Sequence, residues 1–334
     1  MIRKYKMQVL LGLCLVLCGA QFACAEEAKA CDSSAKPLHV LMVGNSFSVC
    51  NVVHMPAIAA ELGCDLDLAS LYIGGCSLEQ HWRNLLASTN ANYKPYHFDR
   101  RICGVTNANS HVAGGPKIGE CVMNLRRALT LIDWDIVTVQ QASPLSWQSE
   151  SYSPWGIRLV AAIRALAPQA RVYVQETWSY TPYDTRLKSW GITPDEMFDR
   201  LHAAYAQFAK REELGLIPVG SAINAWRRER PVVYMLGSFG GDVVGGRWVA
   251  DDKKFKLNAD GTYELTSDPF HLNESGEYLQ SLVWAARVFK RPVTNLNYRP
   301  DFVSDVEAAL MKKIATEVVR PIVKNFNTEK EISK

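Results

Sequence analysis

The sequence lacks an excess of charge of one sign once its first segment is set aside. Its 334 residues hold 37 Lys and Arg against 34 Asp and Glu, a net charge of +3. Arg3, Lys4 and Lys6 account for that whole difference. Residues 26–334 therefore balance, leaving no basic stripe for nucleic acid or anionic lipid. Cys-x-x-Cys, His-Glu-x-x-His and similar ligand spacings are also missing, so no structural zinc is expected. There is no internal repeat, low-complexity run or linker long enough to divide the chain.

The basic residues lie in front of an apolar core from Met7 to about Ala20, and Ala23-Cys24-Ala25 follows. This pattern reads as a secretory signal peptide over 1–25, too short and wrongly flanked for an anchor. Leu17 before Cys18 and Gln21-Phe22-Ala23 before Cys24 fit lipid attachment poorly. A soluble exported protein, periplasmic or extracellular, is expected, with no membrane insertion after cleavage. Six of the nine cysteines remain: Cys31, Cys50, Cys64, Cys76, Cys103 and Cys121. An oxidising compartment permits up to three disulfides, and Cys103 with Cys121 is the preferred pair because they flank a Gly/Asn-rich loop. Residues 26–37 read as a disordered N-terminal segment and 38–326 as one domain. The full sequence is 48% apolar, enough for the domain to bury a large core.

Apolar runs and helical patterns alternate along that domain, which predicts a three-layer α/β/α fold around a five-stranded parallel sheet. The strands are expected at Leu38–Val43, Asp65–Ile73, Asp135–Gln140, Arg171–Gln175 and Gly215–Val219. Helices are expected at Asn51–Leu62, Leu78–Ala87, Glu120–Ile132, Pro154–Leu166, Pro194–Arg211, Ser221–Arg228, Glu274–Phe289 and Ser304–Phe326. Tyr93–Glu120 and Arg247–Leu265 break the alternation and read as β-hairpin or loop insertions.

Two short stretches carry chemistry. The first strand ends at Gly44-Asn45-Ser46, a tight turn into a helix. There a serine hydroxyl would stand at the carboxyl end of the sheet, where α/β folds place ligands. Near the other end stands Asp268-Pro269-Phe270-His271. An Asp three residues before a His can orient the imidazole as a general base for a serine, whose hydroxyl is nearly un-ionised at neutral pH.

Together these stretches resemble the SGNH, or GDSL-like, hydrolase superfamily. Gly44-Asn45-Ser46-Phe47-Ser48 takes the place of its Gly-Asp-Ser nucleophile block, and Gly74-Gly75 that of its glycine block. Asp268-x-x-His271 matches the block that supplies acid and base. A closer resemblance is to a bacterial branch with little assigned chemistry. Its hallmarks are Tyr72-Ile73-Gly74-Gly75-Cys76-Ser77-Leu78, Asp133-Trp134-Asp135, Gln140-Gln141-Ala142-Ser143, Thr177-Trp178-Ser179-Tyr180 and Ile217-Pro218-Val219-Gly220. Asn45 replaces the usual Asp of the first block, and Gln140-Gln141 stands where an Asn side chain normally joins the oxyanion hole.

The resemblance implies an esterase with Ser46 as nucleophile, His271 as base and Asp268 as its orienting partner. The oxyanion hole would comprise the amides of Ser46 and Gly75 with the side chain of Gln141, or else that of Gln140. Trp178 and Tyr180 follow the fourth strand and suit contact with a sugar ring, with Gln140 as a further substrate contact. No metal or organic cofactor is needed. The expected reaction is removal of acetyl or similar small ester groups from a small-molecule or glycan ester, a carbohydrate above all, with an esterase for methyl esters or lipids as the alternative among enzymes. The rival expectation is a non-catalytic glycan-binding protein on a retired hydrolase frame.

Overall fold

The computed structural model describes residues 36–49, 51–103, 117–230, 243–244, 255–257, 263–265 and 270–332. The expected signal peptide, Cys31, Cys50, Gly114-Gly115 and Asp268 lie outside the described residues.

The chain begins with β1 (Leu38–Gly44), α1 (Ser46–Val49), α2 (Asn51–Glu61), β2 (Leu66–Tyr72) and α3 (Leu78–Ala87). Next come β3 (Tyr96–Cys103), β4 (Lys117–Met123), α4 (Leu125–Leu129), β5 (Ile136–Val139) and α5 (Trp155–Leu166). They are followed by β6 (Arg171–Gln175), α6 (Thr185–Trp190), α7 (Pro194–Arg211), β7 (Gly215–Ile217) and α8 (Val219–Glu229). A separate antiparallel pair, β8 (Phe255–Leu257) and β9 (Tyr263–Leu265), precedes α9 (Glu274–Phe289) and α10 (Asp305–Ile332).

All five expected strands are present and run parallel in the order β2-β1-β5-β6-β7. Chain order reverses at β1, and ligands of open sheets sit at the carboxyl edge of such a reversal. Val40 to Gly44 of β1 are all buried, as befits a central strand covered on both faces. α2 packs on α9, which also meets α8 and α10; α3, α4 and α5 pack together as another layer. α9 is buried without interruption from Gly276 to Val288, the mark of an interior helix.

The sheet is wider than expected, because β3 and β4 extend it antiparallel beyond β2 to seven strands. The expected helix Glu120–Ile132 shrinks accordingly: its first residues belong to β4, and only Leu125–Leu129 is helical. The Asn124 side chain accepts from the Arg127 amide at 2.7 Å and starts the helix there. The ladder also corrects the Cys103–Cys121 pairing. Cys121 stands opposite Phe98, roughly 16 Å along the strand from Cys103, whereas a disulfide spans at most ~7 Å between Cα atoms. Cys76 is a buried free thiol, which excludes three bridges. Among the described residues no helix is long and apolar enough to cross a membrane.

Candidate active site

β1 ends in a close turn at Gly44. A Cβ there would crowd Ser48 Oγ, which folds back and donates to the Asn45 carbonyl at 2.9 Å. The turn presents Ser46 at the start of α1, half-buried, with its Oγ 2.7 Å from His271 Nε2. The Phe47 carbonyl accepts from Gln175 Nε2 at 2.7 Å and from Gln280 Nε2 at 3.0 Å. Trp284 in turn donates to Gln175 Oε1 at 3.0 Å, so the end of β6 and the middle of α9 both hold the nucleophile turn.

His271 lies just ahead of α9, whose Asn273 cap accepts from the Gly276 amide at 2.9 Å. Its neighbour Leu272 bridges Val244, and the Asn273 amide donates to the Val243 carbonyl. Rings surround the imidazole: Phe270 at 4.2 Å and Phe47 at 5.5 Å between centroids. Trp178 stacks on Phe47 at 4.2 Å and donates its indole N–H to the Phe270 carbonyl at 2.8 Å. The Arg186 guanidinium sits 4.3 Å from both the Tyr180 and Phe270 rings and bonds both carboxylate oxygens of Asp184. No motif marks Arg186, Asp184, Gln175 or Gln280: the two glutamines reach Phe47 from 128 and 233 positions away, and the Arg186–Asp184 pair bears on the site only through the rings it meets.

Trp178 and Tyr180 are thereby corrected as sugar-stacking residues. They are 1% and 0% exposed, and the Tyr180 hydroxyl is bonded to Ser143. Both rings are internal supports of the corner that carries His271.

The glycine block follows β2, whose end lies beside that of β1 through the Gly44–Tyr72 pairing. Gly74 and Gly75 are exposed, and Gly75 has φ +63°, a left-handed conformation that favours glycine. Asn45 Nδ2 donates to the Cys76 carbonyl at 3.0 Å, tying this loop to the nucleophile turn. Behind it, the Cys76 thiol, His81 and the Tyr96 hydroxyl form a buried cluster. Burial pushes Cys76 up to about 12 and pulls His81 down to about 3. His54 is likewise buried and pulled down to about 4.

The two glutamines diverge. Gln141 Oε1 accepts from the Leu78 and Ala142 amides at 3.0 and 2.9 Å. Its Nε2 donates to the carbonyl and hydroxyl of Ser151 at 2.9 and 3.0 Å. With both ends engaged, Gln141 braces the start of α3 and has no amide hydrogen directed at an oxyanion. Gln140 is the one that reaches the nucleophile turn, where its Nε2 donates to Asn45 Oδ1. Asp268 lies outside the described residues. Among the described residues no group of three or more His, Cys, Asp or Glu is placed to hold a metal ion.

The profile of DUF4886, a domain of unknown function, matches residues 39–227. A crystal structure of a DUF4886 family protein from Bacteroides uniformis is 26% identical, with a TM-score of 0.65. The match covers 85% of this chain and 95% of that one. A provisionally assigned SGNH hydrolase from Slackia heliotrinireducens is 22% identical with a TM-score of 0.44, over 75% of this chain and 99% of that one. A provisionally assigned GDSL-like lipase from Parabacteroides merdae is 10% identical with a TM-score of 0.46, over 78% and 100%. The last two overlap too loosely to bear on the site. No curated protein matches the chain.

Proposed function

The chain belongs to the DUF4886 family, and on that premise we propose that it is a serine esterase that removes acetyl or similar small acyl groups. The observation that carries this reading is the 2.7 Å contact between Ser46 Oγ and His271 Nε2 at the carboxyl end of the central strand. Those two residues are 225 positions apart, and a serine paired with an imidazole nitrogen is the minimal nucleophile–base unit of acyl transfer.

Ser46 Oγ attacks the ester carbonyl carbon while His271 Nε2 takes its proton, and Asp268 orients the imidazole. The oxyanion is held by the backbone amides of Ser46 and Gly75. The tetrahedral intermediate collapses, and the alcohol leaves with the proton from His271. Water, deprotonated by His271, then attacks the acyl-enzyme and releases the carboxylic acid and Ser46. Burial of Trp178 and Tyr180 removes the aromatic support for sugar stacking. A carbohydrate carrier for the acyl group therefore rests on the expected export and the family resemblance.

Hydrolysis of p-nitrophenyl acetate by the wild type and Ser46→Ala tests it. The variant should lose at least ~10³-fold in kcat. Equal rates in the two folded proteins would remove the esterase and favour a binding protein on this frame. Positive turnover leads to a panel of acetylated glycans, methyl esters and short lipid esters.

A further inference from the structure

Asn45 joins three pieces of the site. Its side chain, 1% exposed, donates from Nδ2 to the Cys76 carbonyl and accepts at Oδ1 from the Phe47 amide and from Gln140 Nε2. The orientation of its amide is fixed by chemistry. A backbone N–H can only donate and a carbonyl can only accept, so Oδ1 must face Phe47 and Nδ2 must face Cys76. Gln140 must then turn its own Nε2 toward Oδ1. It does so although this leaves its Oε1 buried and without a partner among the described residues.

We propose that Asn45 is a positioning residue that sets the spacing between the Ser46 and Gly75 amides, that Gln140 locks its orientation, and that asparagine is required there because the Cys76 carbonyl needs a donor. The proposal rests on the serine-esterase reading. An ionised aspartate would still accept from Phe47 and Gln140. It would, however, set a carboxylate oxygen against the Cys76 carbonyl and release the glycine loop from the nucleophile turn. A protonated aspartate could donate its O–H to that carbonyl and restore the bridge, so the substitution carries a pH signature of its own.

The test compares Asn45→Asp with wild type in full-length protein, using p-nitrophenyl acetate from about pH 5 to about pH 9. At about pH 8 the variant should lose ~10–100-fold in kcat, with KM within about threefold. The ratio of wild-type to variant kcat should narrow by about fivefold or more toward about pH 5 as the new carboxyl takes up a proton. Protonation of the base is common to both enzymes and cancels in the ratio. The Cys76 thiol, raised by burial, stays neutral across the range.

A folded variant whose deficit is the same at every pH, or lies in KM alone, overturns the proposal. Should Asn45→Asp not fold, Gln140→Met decides. It removes the locking donor while keeping the volume, and should lower kcat about three- to tenfold without moving KM. Wild-type kcat in that variant overturns the proposal. A wild type that neither turns over the ester nor reacts with a fluorophosphonate at Ser46 overturns the esterase reading as well. A flat ratio in an active enzyme removes the Asn45 role alone.

Discussion

Gln140 and Gln141 are adjacent and chemically identical, yet the fold sends them to different partners, Gln140 to Asn45 and Gln141 to Leu78, Ala142 and Ser151. Side chains alternate at the end of a strand, so only one of the two can face the nucleophile turn. The sequence does not say which, because Ile136 to Val139 ahead of them are all buried and no polar face marks the phase. A structural role for Gln141 has a consequence that a catalytic one does not. Gln141→Met leaves the Leu78 and Ala142 amides without their acceptor and removes the donor to the Ser151 carbonyl and hydroxyl. Stability should fall by about 2–4 kcal/mol in denaturant unfolding, while kcat of the folded variant stays within about threefold of wild type. A hundredfold loss of kcat at unchanged stability would return Gln141 to the oxyanion hole. By contrast, Ser46 and His271 were legible as residues. The turn before Ser46 and the approach to α9 leave few other nucleophile–base pairs at one edge of a parallel sheet.

Elements were legible where local chemistry and burial agree. The limits expected for α7 match those observed, and the structure supplies the reason for its start: Thr193 and Glu196 form a capping box with Pro194 in the first turn. The five parallel strands are short apolar runs between helical patterns. The antiparallel pair β3–β4 falls largely within Tyr93–Glu120, the stretch expected as a hairpin or loop insertion; only its last residues, Cys121–Met123, run into the expected helix, because they carry no alternation that separates strand from helix. Nor did the sequence show how β6 is tied to α7 and α8. Glu176, 0% exposed, meets His202 Nδ1 at 2.6 Å and accepts from the amide and hydroxyl of Ser221 at 2.6 and 2.8 Å. The hydrogen bond to Glu176, which outweighs partial burial, holds the His202 imidazole above its ordinary value. A histidine raised on folding stabilises fully below its unfolded pKa, about 6.5, and the benefit fades as pH rises through the folded value. His202→Gln should therefore lower stability relative to wild type at about pH 5.5, and the difference should shrink by about pH 8.5. Paired unfolding curves at the two pH values measure it. A gap that is constant or grows with pH would refute the assignment.

At the scale of the whole molecule, the site is made by closure of the two ends of the chain. The DUF4886 match stops at Arg227, whereas His271 and the buried helix α9 lie beyond it. α9 is the layer that α2 packs against. Through Gln280 it also holds the Phe47 carbonyl, and through Trp284 it holds Gln175 on the same carbonyl. Without α9, the apolar faces of α2 and α8 would meet water, and α1 would keep one of its two glutamine clamps with that clamp itself unsupported. The matched region is therefore expected not to form a folding unit by itself. Residues 36–230 expressed alone should unfold without a sharp transition, bind a hydrophobic dye, and fail to react at Ser46 with a fluorophosphonate. The full chain should unfold cooperatively and be labelled. Cooperative unfolding of the shorter piece near the full-length midpoint would mean that the sheet and its first helices suffice. The nucleophile turn would then owe its shape to Gly44, Asn45 and the Gln175 clamp, and α9 would serve only to deliver His271.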